Sequence, residues 1–157
     1  MLQLLTYFNR NEYVELERLR IWDFYLLFPD KVHSIKLRRD EDDIKQLRQS
    51  FIIKQNNPYE NVMDDRKMFE KIKSYQITAI KCLASYGIIN KEFLSENRVT
   101  IISKAVLEKY MTKFEPLSIK EQNVIKLMTS HFYFMTMFGP MGLKDRTHLL
   151  ETRYDAQ

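Results

Sequence analysis

Residues 19–29 read LRIWDFYLLFP, a run in which apolar or aromatic side chains recur at nearly every position. Wound as a helix, the run makes about three turns and points greasy groups in almost every direction. A helix on the surface of a lone small protein keeps one wet face. This segment therefore belongs in the middle of a core or against another protein. Two charges interrupt it, Arg20 and Asp23. An unpaired charge in apolar surroundings is expensive, so each needs a partner. Three residues apart, they share a helix face and could pair with each other. Alternatively, one of them reaches across a subunit boundary. In that case Trp22, Tyr25 and Phe28 become the aromatic anchors of a partner interface.

Working outward, residues 1–11 read as a short strand or an irregular arm, and 12–28 as the first helix. Pro29 lacks the amide proton a helix interior needs and stops it. Residues 30–35 fit one further turn capped by Asp30. KLRRDEDD, 36–43, is an exposed charged stretch, and Asp42 or Asp43 starts a short helix to about Gln49. QNNPYENV, 55–62, is a loop by its Asn and Pro content. A second long helix spans 64–86, with Asp64 and Asp65 at its positive start and Gly87 placed to end it in the left-handed conformation. Phe69, Ile72, Gln76, Ala79, Ile80 and Leu83 share one face. Lys67, Lys71, Ser74, Thr78 and Lys81 share the other.

Ile88-Ile89 and residues 99–102 are β-prone. A helix, a turn and two short extended pieces over 64–103 suggest a winged-helix-like unit with a short β-hairpin. Ser103 caps a helix to about Lys113. Ser118 and Glu121 form a capping box, which opens a helix to about Phe138. Its stripe is Val124, Leu127, Met128, His131, Met135 and Phe138. Its last turns, FYFMTMF, are apolar nearly all round, and Phe134 joins the expected partner interface. Gly139-Pro140-Met141-Gly142 breaks that helix, and one more short helix starts near Leu143.

With 157 residues, 45% apolar and 29% charged, the chain suits one domain with a genuine core. Three Gly and four Pro are too few for a barrel or sandwich, which need many tight turns. The fold class is mainly α: a compact helical domain spanning 1–157. The single cysteine, Cys82, excludes an internal disulfide and paired-cysteine zinc sites, and fits a reducing compartment. It sits near the edge of an apolar helix face, where an inert core thiol is expected. The amino terminus does not read as a secretory signal, and no run is long enough to span a membrane, so a soluble cytoplasmic protein is expected.

Catalytic chemistry finds little footing. His33, His131 and His148 lack metal-ligand spacing, and His131 is expected to be a buried, hydrogen-bonded core residue. No phosphate-cradling glycine loop precedes a helix, and no nucleophile elbow is present. DEDD at 40–43 reads as a solvated turn, since a metal site gathers carboxylates from separate elements. No catalytic, cofactor or metal site is expected. The net charge of +4 permits nucleic-acid contact without demanding it. Lys36, Arg38 and Arg39, with Lys67, Lys71 and Lys81, are the candidates to meet phosphate.

LRIWDFYLLFP, the NPYE loop and DDRKMFEKIKSYQITAIKCLASYGII together resemble the small middle component of bacterial ABC-three-component defence operons, the group that includes Lamassu systems. The resemblance covers roughly residues 12–102. It implies a non-catalytic accessory subunit that accompanies an ATPase related to the SMC and Rad50 proteins, plus a nuclease-type effector. Such a subunit links sensing of foreign DNA to effector activation, with DNA contact possible inside the complex. The other reading is a stand-alone winged-helix DNA-binding regulator. The helices carry no dense set of Arg, Asn, Gln and Lys able to reach base edges, which favours the scaffold. A small-molecule substrate or a membrane partner is not expected.

Overall fold

The computed structural model of the chain describes residues 1–7, 13–52 and 64–151. The expected loop at 55–62 lies outside the described residues. The architecture is mainly helical, with a short antiparallel ladder. In order come α1 (Leu2–Leu5), β1 (Val14–Glu15), α2 (Leu16–Leu27), a 3-10 segment Pro29–Ser34, α3 (Asp42–Phe51), α4 (Asp65–Ser85), α5 (Lys91–Ser95), β2 (Arg98–Val99), α6 (Lys104–Met111), α7 (Ile119–Lys126), a π-helical turn Leu127–His131, and α8 (Leu143–Thr147). No helix among the described residues is long and apolar enough to cross a membrane.

Contacts divide the chain into two compact units. Unit 1 is Met1–Asp23 with Lys71–Pro116, and unit 2 is Phe24–Glu70 with Leu117–Gln157. The core of unit 1 includes Leu4, Leu5, Leu19, Trp22, Ile80, Ile88, Val99 and Leu107, all buried. In this unit β1 pairs with β2, setting Val14 opposite Val99. An isolated bridge joins Ile89 to Ile101. Both expected β-prone runs are thus used. The partner of β2, however, comes from a segment expected to be helical. Val14 is β-branched and buried, and pairing with Val99 outweighs the helical reading of its neighbours. The described start of the chain also departs from expectation, since residues 2–5 form a helical turn with Leu4 and Leu5 buried.

The core of unit 2 gathers Phe24, Tyr25, Val32, Phe69, Val124, Ile125, Met128, Phe132 and Leu143. Phe24 sits edge-on to Phe69 at 5.8 Å between ring centroids. Pro29 ends α2 as expected, yet it also opens the 3-10 segment, whose cap position is Phe28 rather than Asp30. Proline's missing amide proton is harmless at the first position of a helical turn. The capping box is formed: Glu121 N–H donates to Ser118 Oγ at 3.3 Å, and Ser118 N–H donates to Glu121 Oε2 at 2.7 Å.

The helix this box opens ends well short of residue 138. Thr129 Oγ1 donates back to the Ile125 carbonyl at 2.8 Å, and the Ser130 hydroxyl donates to the Lys126 carbonyl. These bonds compete with the main-chain ladder and bend a helix. The ladder widens here into the π turn, with Phe132 N–H donating to the Leu127 carbonyl five residues back at 3.4 Å. Residues 132–142 then run as turns.

Candidate interaction site

The residues expected at the α2 interface are mostly buried. Trp22 and Tyr25 are fully covered, and Arg20, at 1% exposure, and Asp23 are buried with them. The chain itself thus seals four of the six expected anchors, a correction to their reading as surface available to a partner. Phe28 is half-buried and packs its ring against Phe24 at 5.2 Å. Burial, with the Asp65 charge adding to it, pushes the Tyr25 hydroxyl well above its ordinary value.

Arg20 and Asp23 do not pair directly. Gln76 of α4 stands between them within unit 1. Its Oε1 accepts from Arg20 Nε at 3.1 Å, and its Nε2 donates to Asp23 Oδ2 at 2.9 Å and to the Arg20 carbonyl at 3.0 Å. Glu17 lies 2.6 Å from Arg20 Nη1, and the Met1 amino group lies 2.8 Å from Asp23 Oδ1. Each charge inside the apolar run is therefore met by an opposite charge and by one shared amide. The sequence carried a signal for this. A glutamine in the middle of an apolar stripe must be hydrogen-bonded if it is buried.

Among the expected anchors, the one left open is Phe134, in unit 2 where the helix fails. Phe134 is 87% exposed and Phe138 58%. Tyr133 meets Phe134 edge-on at 4.9 Å, and Lys144 Nζ lies 5.5 Å from the centre of the Phe138 ring. Gly142 holds the turn closed. A Cβ there would come within 2.5 Å of the Phe138 carbonyl oxygen, and Gly142 N–H donates to the Gly139 carbonyl at 3.0 Å. Leu143 N–H donates to the Thr136 carbonyl at 2.8 Å. The turn is thus closed over 136–143, with Phe134 and Phe138 facing outward.

A hollow of about 360 Å3 opens beside Phe134, with Arg38, Glu41, His131, Met135 and Arg146 among its walls. Arg146 is buried and grips Glu41 with two bonds, at 2.6 and 2.8 Å, while its Nε donates to the Met141 carbonyl at 2.8 Å. The guanidinium holds the Glu41 carboxyl below its usual range. Asp145 is lowered too, chiefly because the Met141 N–H donates to it at 2.9 Å. His131 is half-exposed rather than sunk in the core, with Nδ1 3.9 Å from Asp43.

The expected phosphate-contacting residues divide. Arg38, Arg39, Lys67, Lys71 and Lys81 are exposed, the three lysines along one face of α4. Lys36 is exposed but lies 3.4 Å from Asp145. In the DEDD run, Glu41 serves Arg146, and Asp42 lies 2.8 Å from Lys45. No group of three or more His, Cys, Asp or Glu that could hold a metal ion occurs among the described residues. Cys82 is exposed, not an inert core thiol, because the apolar face of α4 is narrower than the spacing suggested. Ala79, also assigned to that face, is exposed as well.

These features define a mainly helical protein with an outward-facing aromatic turn. The chain belongs to the family of ABC-three component (ABC-3C) system Middle Component 5, whose family model matches residues 1–155. Neither the curated proteins nor the solved structures give a match to the chain.

Proposed function

We propose that this middle component is a non-catalytic accessory subunit of an SMC/Rad50-like ATPase defence complex of the Lamassu kind. It scaffolds the ATPase and a nuclease-type effector and couples foreign-DNA sensing to effector activation. Membership of a multi-component system supports protein partners as such. The observation that carries the scaffold reading is the aromatic turn. An exposed Phe134, edge-on to Tyr133 and near Phe138, supplies the ring-rich contact that interface hot spots favour.

Co-expression of the tagged full chain with the other components of its ABC-three component system tests the reading. All three are expected to co-purify, and Phe134→Ser is expected to release one partner. Retention of every partner by the variant, or failure of any to co-purify with the wild type, refutes it. The exposed Lys67 and Lys71 of α4 support backbone contact with DNA inside the complex. The stand-alone regulator predicts instead that the isolated chain binds duplex DNA with steep salt dependence.

A further inference from the structure

A second surface lies within unit 1, between the last turns of α4 and the short helix α5. Gly87, at φ +68°, turns the chain out of α4. The Ile89–Ile101 bridge then fixes it, and Asn90 caps α5 by accepting from Glu92 N–H at 2.9 Å. Between the two helices is a hollow of about 460 Å3, lined by Lys81, Ala84 and Ser85 from α4 and by Lys91, Leu94 and Ser95 from α5. Small side chains at 84, 85 and 95 keep it open. The two hydroxyls are turned onto their own helices: Ser85 donates to the Cys82 carbonyl at 2.8 Å, and Ser95 to the Glu92 carbonyl at 2.6 Å. The walls are therefore apolar in character. Lys81 and Lys91 supply the charges of the lining, and neither has an acidic partner among the described residues. Tyr86 and Phe93, sequence neighbours of lining residues, are exposed at 63% and 41%.

We propose that this hollow docks an acidic amphipathic segment of a partner protein. One apolar side chain enters between Ala84 and Leu94, and flanking carboxylates meet Lys81 and Lys91. Charge complementarity selects this occupant. The lining holds cations on apolar walls and no anion. A phosphate backbone would meet the two lysines but gain nothing from Leu94, Tyr86 or Phe93. The inference uses residues other than the aromatic turn and does not rest on the scaffold reading.

The test uses the full chain and a fluorescein-labelled synthetic peptide carrying a leucine flanked by glutamates at helical spacing, read by fluorescence anisotropy. Matched peptides replace the glutamates by glutamine or by lysine, and duplex DNA and decanoate serve as competitors. The acidic peptide is expected to bind and the glutamine version to bind more weakly. Ala84→Phe fills the hollow and is expected to weaken binding at least tenfold. The paired change Lys81→Glu and Lys91→Glu, at exposed positions that leave the fold intact, removes two solvent-exposed ion pairs. It is expected to weaken the acidic peptide roughly tenfold and to make the lysine version the better ligand. This second variant decides the matter if Ala84→Phe does not fold. Absence of binding, an affinity indifferent to the charge swap, or displacement of the peptide by duplex DNA or decanoate at equal concentration overturns the proposal.

Discussion

Replacing Gln76 by leucine probes the interaction on which the interior of unit 1 turns. Gln76 is 3% exposed and makes three bonds, two of them to charged groups: Arg20 Nε at 3.1 Å and Asp23 Oδ2 at 2.9 Å. The third goes to the Arg20 carbonyl at 3.0 Å. Bonds to charged groups contribute about 1.5–3 kcal/mol each and a neutral one about 1 kcal/mol, so the gross loss is about 4–7 kcal/mol. Leucine fills nearly the same volume and gains about 1 kcal/mol of apolar burial. Arg20 keeps Glu17 at 2.6 Å and Asp23 keeps the Met1 amino group at 2.8 Å, so neither charge is stranded. The lower end of the range therefore applies, and Gln76→Leu is expected to cost about 3–4 kcal/mol.

Urea unfolding measures that cost. Trp22, the one tryptophan of the chain, is buried in the same unit and reports through its fluorescence. With a slope of about 2 kcal/mol per molar urea, the midpoint should fall by about 1.5–2 M. Thr78→Ala, on the exposed face of the same helix, should stay within about 0.5 kcal/mol of wild type. A midpoint for Gln76→Leu within about 0.25 M of wild type would show that the amide bridge contributes nothing beyond volume.

Glu41→Gln should destabilise unit 2 by about 2 kcal/mol near neutral pH, because it removes the counter-charge of buried Arg146. The folded state holds the Glu41 carboxyl below its ordinary value of 4.5, so this stability is present above that value. It is lost as pH falls through the lowered folded-state value. Urea titrations followed by far-UV circular dichroism should show the gap between the two proteins closing in acid, and a pH-independent gap would contradict the pairing. Arg38→Glu with Arg39→Glu, both at exposed positions, should leave assembly intact and weaken DNA binding by the complex at low salt. Equal DNA affinity would remove these two arginines from the contact surface.

Local signals were legible wherever a short motif decides the geometry. The ends of α4 follow from Asp64-Asp65 and from Gly87, whose φ of +68° is the left-handed turn a glycine there implies. Ser103 and Ser118 cap the helices they were expected to cap. Features decided by distant partners were not legible. Nothing beside Val14 announces that Val99 will pair with it. Glu41 looked like one acid in a solvated run, since Arg146, which claims it, comes more than a hundred residues later. The early end of α7 had a local cause that periodicity concealed. The apolar stripe from Val124 continues at helical spacing past Thr129 and Ser130, whose hydroxyls take main-chain carbonyls and loosen the ladder.

That loosening decides which rings the protein shows. Had α7 continued to residue 138 as the pattern suggests, Met135 and Phe138 would have extended the stripe begun by Val124 and Met128. Instead Phe132 is buried immediately after the π turn, and the chain leaves helical geometry. Phe134 and Phe138 are then held outward by a turn that tolerates only glycine at 142. The aromatic run of α2, by contrast, closes over its own charges. Exposed aromatic surface thus remains, at Phe134 and Phe138 in this turn and at other sites such as Tyr75 and Tyr86, but not at Trp22 and Tyr25. Substitutions in α2 should therefore act first on stability, whereas those at Phe134 should act first on assembly. A Phe134 variant that unfolds the protein, or a Trp22 variant that loses partners while fully folded, would reverse that assignment.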